Sequence, residues 1–281
     1  MLKSGVIRPS QSAWASSVCL VPKPNGTFRF CIDYRKLNAV SVSDAFPTPN
    51  TQDALDSLRG ARYFATIDLL SDYWQLGMTQ RAIERSAFCT RRGQFEFTRM
   101  PFGLKGAPAT FCRAMNTVFS DLLWLICGVY LDNIIVFAET PEDLLRNMDI
   151  VLERLAKHGF KVKASKCCFF RKEIKYLGHT ISQHGIAPLP DRLQAIRDWP
   201  TPHCLKEVRS FYGTASYYRR FVKDFAKIAE PLSSLSKQSV RPFKWTDEAQ
   251  QSFERLKEAL MNAPILQFPS PDVPCILDTD A

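Results

Sequence analysis

The amino-acid sequence predicts an α+β architecture over its first two-thirds, followed by a mostly helical appendage. Three observations carry this. Short runs rich in β-branched and aromatic residues, bounded by turn residues, recur as far as Gly178, and two of them flank Leu131-Asp132-Asn133 as a hairpin. Helically spaced segments alternate with these runs, the best marked running from Thr140 to Gly159. Beyond Pro188 the spacing is helical almost throughout, so the helices are segregated after the strands.

Val18-Cys19-Leu20-Val21 and Phe28-Arg29-Phe30-Cys31-Ile32 read as two strands joined by the turn Pro24-Asn25-Gly26. Asp53 to Leu58 reads as a short helix and Tyr63 to Leu69 as a buried strand, after which Ser71-Asp72 begins a helical turn. From Pro108 to Phe119 the apolar positions Ala109, Phe111, Met115, Val118 and Phe119 are helically spaced. Leu125 to Tyr130 and Ile134 to Phe137 are the arms of the hairpin. Thr140 caps the next helix, Pro141 suits its first turn, Glu142 and Asp143 favour its dipole, and Gly159 ends it. Its apolar face is Leu144, Leu145, Met148, Val151, Leu152 and Leu155. Phe160 to Val162 and Ile174 to Gly178 read as strands, and helices are expected over 191–198, 205–236 and 246–261. Pro274 to Ala281 reads as a strand cut off at its end, which is expected to fray.

Of the 281 residues, 46% are hydrophobic, enough to bury a sizeable core and to exclude general disorder. The 37 basic and 28 acidic residues give a net charge of +9. That balance fits a polyanionic partner, nucleic acid ahead of an anionic membrane, and fits a merely basic soluble protein equally well. Eight cations (Arg154, Lys157, Lys161, Lys163, Lys166, Arg171, Lys172 and Lys175) stand against Glu173 alone, a density that favours phosphate contact over a solvated face. The N-terminal residues lack the apolar core of a signal peptide, and the run Leu122 to Phe137 is interrupted by Asp132 and Asn133 and is too short to span a membrane. The nine scattered cysteines suit reduced thiols inside a cell, and adjacent Cys167-Cys168 read as packed thiols rather than zinc ligands.

The chemistry lies at the strand ends. Asp68 closes a buried apolar strand, and Asp132 sits at the tip of a buried apolar hairpin. A carboxylate in such a place must be paired, hydrogen-bonded or metal-bound, because burying its charge alone is costly. Two carboxylates brought together repel unless divalent cations lie between them. Magnesium takes a few carboxylates and completes its octahedron with phosphate and water. Two ions about 4 Å apart can activate an attacking hydroxyl and stabilise a leaving oxygen. Taken singly, each aspartate is an ordinary turn residue; the order and context of several motifs set them apart.

Those motifs are Phe28 to Asn38 (FRFCIDYRKLN), Asp68 to Gln75 (DLLSDYWQ), Met100 to Phe111 (MPFGLKGAPATF), Tyr130 to Asn133 (YLDN), Lys175 to His179 (KYLGH) and Tyr217 to Phe221 (YYRRF). In this order, over nearly the whole chain, they resemble the reverse transcriptases of gypsy-type LTR retrotransposons. The resemblance implies a right-hand polymerase fold: fingers and palm over 1–180, a helical thumb or connection over 181–262, and the opening strand of an RNase H-like domain over 263–281. It implies RNA-directed DNA polymerisation, with an RNA template, a DNA primer and deoxynucleoside triphosphates as partners. Two Mg2+ or Mn2+ ions would be held by Asp68 and Asp132, with the Leu69 carbonyl as a further ligand. By the same resemblance Lys23 and Arg29 contact the triphosphate from the fingers, and Tyr73 lies under the deoxyribose and excludes a 2′-hydroxyl. Phe102 lines the nucleotide pocket, and Leu177-Gly178-His179 form the hairpin that grips the primer end. For Tyr217, Tyr218, Arg219 and Arg220, helix packing and nucleic-acid contact are both open. An intracellular location follows, in a cytoplasmic retroelement particle or the nucleus.

Three positions depart from the family pattern. The family's turn ends in two aspartates, and here the second is Asn133, whose amide keeps an oxygen ligand but removes a full negative charge. Impaired polymerisation is therefore expected. Asp72 stands where the family has glycine, near the triphosphate; its carboxylate either repels the nucleotide or turns away to cap the short helix. The chain stops at Asp280-Ala281, where Asp280 matches the first catalytic carboxylate of RNase H, so cleavage of RNA in a hybrid is not expected. With the abrupt start at Met1, these features fit a fragment of a decaying element, and a catalytically dead nucleic-acid-binding remnant is the alternative reading.

Overall fold

Contacts divide the chain into two compact units, Met1–Leu58 with Tyr63–Arg171, and Arg59–Arg62 with Lys172–Ala281. This computed structural model describes residues 1–23, 26–47, 50–131, 133–237 and 243–268, and at Asp72 the backbone alone. Pro24 and Asn25 of the expected turn, Asp132, and the expected strand at 274–281 with Asp280 lie outside the described residues.

The first unit runs β1 (Ile7–Pro9), β2 (Ser17–Pro22), β3 (Phe28–Asp33), α1 (Arg35–Val40), α2 (Thr51–Asp56), β4 (Tyr63–Asp68) and a 3-10 turn over Asp72–Gln75. It continues with α3 (Gln80–Arg85), β5 (Phe88–Thr90), β6 (Gly93–Phe97), α4 (Ala107–Phe119), β7 (Cys127–Tyr130), β8 (Asn133–Ala138), α5 (Pro141–Lys157), a 3-10 turn over Ala164–Lys166, and β9 (Cys168–Arg171). Its centre is an antiparallel sheet in the order β7-β8-β4-β9. One face of that sheet presents Ala65, Ile67 and Leu69 from the β4 end, Val129, and Ile134 and Val136 to Phe111, Met115 and Val118 of α4 and Leu144, Met148, Val151 and Leu155 of α5. The strand period of two meets the helical period here, and every one of these side chains is buried. The sequence alternates poorly along β8 because Ile135 and Phe137 on its other face are buried as well.

The Thr140 hydroxyl accepts from the Asp143 amide at 3.1 Å, as expected for the cap of α5. The expected apolar face of that helix is one residue too wide: Leu145 is 52% exposed, because positions 144, 148, 151 and 155 already fill the stripe. The short helix at 53–58 starts at Thr51 instead, since Asn50 accepts from the Gln52 amide and caps it earlier. Phe160 to Val162 do not form a strand; Val162 makes a single bridge to Leu69. On its side away from β8, β4 pairs with β9, where no strand was expected.

In the second unit, β10 (Glu173–Tyr176), β11 (His179–Ser182) and β12 (Gly185–Pro188) form an antiparallel meander. Helices α6 (Pro190–Arg197), α7 (Leu205–Tyr217), α8 (Phe225–Lys237) and α9 (Asp247–Met261) follow. Phe211 of α7 meets Phe253 of α9 with ring centroids 4.5 Å apart, and Val208, Leu232, Leu256 and Leu260 are fully buried. After α9 the chain returns to β12, where Ile186 and Leu266 exchange both backbone hydrogen bonds. Glycine is required beside that bridge: at Gly185 a Cβ would meet the Leu266 carbonyl oxygen within 2.1 Å. The helix expected over 205–236 is two helices. Tyr218, Phe221, Val222 and Phe225 are all buried at helical spacing, yet a 3-10 turn (Arg219–Phe221) and a left-handed Asp224 break the chain between them.

Among these packing positions Leu144 and Leu145 make a sharp comparison. Leu144→Ala is expected to lower stability by about 2–5 kcal/mol in chemical denaturation, and Leu145→Ala by less than about 1 kcal/mol.

Candidate functional site

Asp68, the last residue of β4, lies directly across the ladder from Asn133, the first residue of β8. On the other side of β8, Asn133 pairs with Tyr130, which leaves a two-residue turn. Its first residue, Leu131, is left-handed with φ +54°, a conformation that costs a leucine on the order of 1 kcal/mol. Cys112 of α4 supports it from below: burial raises its thiol pKa, while a hydrogen bond with the Leu131 backbone acts the other way. Asp132, which follows Leu131 in sequence, is outside the described residues.

The Asp68 carboxylate is not bare. Lys166 Nζ lies 2.9 Å from Oδ2 and 3.3 Å from Oδ1. The strap that brings Lys166 there is bonded along the end of β4: the Lys163 amide donates to the Asp68 carbonyl at 2.8 Å, and the Leu70 amide to the Lys161 carbonyl at 2.8 Å. Gln75 clamps the strap with both ends of its amide, accepting from Lys161 N at 2.6 Å and donating to Lys161 O at 3.0 Å. The sequence placed Lys166 and Gln75 in a basic run and a motif, but nothing in it assigned either to Asp68.

Tyr73 follows in the 3-10 turn, its ring 5.0 Å from Phe102 and 5.4 Å from the buried Phe111. Phe102 itself is 48% exposed, so the pair presents an aromatic surface rather than a filled core. The loop that carries Phe102 is tied to α1 by Asn38, whose amide donates to Gly103 O and accepts from Lys105 N, both at 2.8 Å. Below it, the buried Tyr34 donates to Ser86 O at 2.8 Å, and burial pushes its phenol pKa upward. Two motifs far apart in sequence therefore form one support for Phe102.

Arg29 pairs with Val21 on the β2–β3 hairpin, and the Lys23 amide donates to Thr27 O. By strand alternation Lys23 and Arg29 share one face of the hairpin and are diagonal neighbours. Both are exposed. Asp33, at the end of β3, has its pKa lowered to about 2, first by the hydrogen bonds of the Arg35 side chain. The backbone of Asp72 lies at the start of the 3-10 turn, and its side chain is outside the description.

In the second unit Leu177 and Gly178 are the two residues between β10 and β11, both left-handed (φ +44° and +72°). His179 does not project outward. It is 2% exposed, its Nδ1 lies 2.7 Å from Leu177 O, and its ring packs against Tyr217, Tyr218 and Phe221. Its pKa is held below the ordinary 6.5, first by burial and then by the charge of Arg220, against the pull of the Leu177 carbonyl. Of the basic run, Arg154 is bonded to Asp121 and to Val118 O, and Lys175 to Asp191. Among the described residues no group of three or more His, Cys, Asp or Glu is placed to hold a metal ion.

The comparisons with known proteins fit this arrangement. A family model described as reverse transcriptase (RNA-dependent DNA polymerase) matches residues 21–181. The chain belongs to the reverse transcriptase family. A second model, an RNase H-like domain found in reverse transcriptase, matches residues 245–281. The Pol polyprotein from transposon 297 of Drosophila melanogaster is 40% identical over 286 residues, covering all of this chain and 27% of that protein. The Pol polyprotein from transposon gypsy of the same organism is 37% identical, covering all of this chain and 29% of its own length. The chain thus spans less than a third of these relatives. Among solved structures, a foamy viral protease-reverse transcriptase in complex with double-stranded DNA superposes with a TM-score of 0.88 at 29% identity, covering 96% of this chain and 48% of that one. The same viral enzyme in complex with an RNA/DNA hybrid gives 0.83, covering 95% and 36%. The gypsy-type resemblance and the right-hand polymerase fold read from the motifs are borne out.

The neutral, buried His179 makes the fold acid-sensitive. A pKa lower in the folded than in the unfolded chain means that its contribution is present above about pH 6.5 and is lost as pH falls through the folded value. The thermal midpoint is therefore expected to drop between about pH 7.5 and 5.5, and His179→Gln to flatten that dependence in a melting series.

Proposed function

We propose that this chain is the RNA-directed DNA polymerase domain of a retroelement Pol polyprotein, transferring a nucleotidyl group from a deoxynucleoside triphosphate to a primer 3′-hydroxyl. The observation that carries the proposal is the pairing of Asp68 with Asn133, which brings the first motif carboxylate beside the turn that bears Asp132. Fingers and palm would take residues 1–180, the thumb or connection 181–262, and the start of an RNase H-like domain 263–281.

The donor set fits a hard divalent cation. The carboxylate of Asp68, the carboxylate of Asp132, the amide oxygen of Asn133 and the Leu69 carbonyl are all oxygen ligands, and Lys166 already holds a positive charge on Asp68. Two bound Mg2+ or Mn2+ ions would lower the pKa of the primer hydroxyl and neutralise charge on the transferred phosphoryl group. The remaining steps belong to the chain. Lys23 and Arg29, on one face of their hairpin, would hold the triphosphate; Arg29 can do so as a two-point fork. The Tyr73–Phe102 pair would form the wall against which the sugar rests, and the ring would exclude a 2′-hydroxyl. Leu177-Gly178-His179 would present the primer end through backbone groups, since the His179 ring is turned inward. An RNA template and a DNA primer are the partners. No described helix is long and apolar enough to cross a membrane, and an intracellular place of action is part of the proposal.

Primer extension with Mg2+ or Mn2+ is the test. The parent is expected to extend slowly, and Asn133→Asp, which restores the second carboxylate, to raise the rate by roughly tenfold or more. Absence of extension in the parent, in Asn133→Asp and in Asp72→Gly alike would reject the polymerase assignment in favour of a binding remnant. A second expectation concerns Lys166, whose ammonium must give way to any ion that reaches Asp68. Lys166→Gln should tighten Mn2+ binding by roughly three- to tenfold, read from the electron paramagnetic signal of free Mn2+ without any turnover.

A further inference from the structure

The turn at Leu177-Gly178 is strained and yet held. Two left-handed residues in succession suit Asn-Gly, and leucine at the first position is unfavourable by on the order of 1 kcal/mol. Both carbonyls of the turn are fixed from α7 and the residue after it. Tyr217 Oη donates to Leu177 O at 2.6 Å, and Tyr218 Oη donates to Gly178 O at 2.8 Å. His179 Nδ1 adds a second donor to Leu177 O at 2.7 Å. The two tyrosine rings stand nearly perpendicular, 5.1 Å apart, so adjacent residues in sequence reach adjacent carbonyls. Gly178 leaves room for this: a Cβ there would lie 3.1 Å from the Tyr217 ring. Tyr218 is 2% exposed and its phenol is pushed up to about 12 by burial, so it remains a donor at any working pH.

The consequence is directional. With both carbonyls bonded inward, the amide N–H groups of Leu177 and Gly178 make no hydrogen bond with any described residue. A two-residue turn bonded through its carbonyls is fixed in rotation about its own axis, and its free donors therefore point one way.

We propose that Tyr217 and Tyr218 are positioning residues for the primer terminus, their paired hydroxyls locking the Leu177-Gly178 turn so that its backbone donors meet the primer strand in one orientation. In this role they act through the turn and not on the reacting atoms. The proposal rests on the polymerase reading above, in which this hairpin holds the primer.

Tyr217→Phe, Tyr218→Phe and the double variant remove one or two hydroxyls and leave the rings packed. The readout is a primer whose 3′-terminal base is 2-aminopurine, bound to the full chain, with affinity and terminal-base fluorescence measured separately from extension. Primer–template affinity is expected to stay within about threefold, because the phosphate contacts that set it are unaltered. Terminal fluorescence should change, and single-turnover extension in the Asn133→Asp background should fall roughly ten- to hundredfold, the cost of a misplaced reacting group. A conserved melting temperature identifies variants that still fold, and Tyr212→Phe, whose hydroxyl is not among the bonds to this turn, serves as the unaffected control. Unchanged terminal fluorescence in variants of a chain that binds and extends primers would overturn the positioning role alone. A parent chain that binds no primer–template would overturn the polymerase reading and this role with it.

Discussion

The antiparallel ladder between β4 and β8 is the constraint on which the first unit depends. Six pairs run from Tyr63↔Ala138 to Asp68↔Asn133. A slip of β8 by one residue would turn Ile134 and Val136 away from α4 and α5 and bring the equally apolar Ile135 and Phe137 to that face. Register is therefore fixed by shape as well as by polarity, because Ala65, Phe111, Met115, Leu144 and Val151 are packed in one buried cluster. The same register sets Asp68 opposite Asn133. Core packing and site geometry are one arrangement, and a change that loosens the core acts on the carboxylate directly.

Around that ladder the site is assembled by polar clamps rather than by further apolar burial. Asn38 holds both sides of the loop bearing Phe102, and Gln75 holds both sides of Lys161. In each case one side-chain amide satisfies a backbone donor and a backbone acceptor on the same segment. This suits chain segments that lack strand partners, whose backbone groups must be bonded somewhere. Carbonyl capture by Tyr217 and Tyr218 is a related device in the second unit, in which two hydroxyls each satisfy one acceptor and leave the donors of the turn open. Irregular loops can then be placed as firmly as strands while their outward faces remain open to a ligand.

Much of this was legible in the sequence, and the misses have physical causes. The β4 strand, the 127–138 hairpin, α4 and α5 were read correctly because their apolar period and caps agree, as with Thr140 and Asp143. β9 was missed because its residues are all exposed, Phe169 and Phe170 among them, so no alternation marks it. The break in 205–236 was missed because Tyr218, Phe221, Val222 and Phe225 keep a helical spacing through it without a glycine or proline. Asp68 was visible as a charged end to an apolar strand. Its partner Lys166, 98 residues away, was not, because the basic run in which it lies carries no periodic signal that separates a paired cation from a solvated one. For Tyr217 and Tyr218 the sequence left packing and nucleic-acid contact open, and the structure shows hydrogen bonding to a turn, which spacing alone does not encode.

Charge balance gives Asn133 its meaning. Lys166 meets the charge of Asp68 with a single positive charge at 2.9 Å, a pairing that suits a carboxylate only about a quarter exposed. A site with three carboxylates would exceed that one ammonium and would draw divalent ions strongly. In the proposed metal site an amide at 133 would make the excess smaller by one unit, so the ammonium would compete better against an ion for the Asp68 oxygens. On that proposal Asn133 would act on ion occupancy before it acted on chemistry. Asn133 keeps its place in the β8 ladder, opposite Asp68 and Tyr130, so any weakening of the proposed site would come from its lost charge and not from disturbed strands.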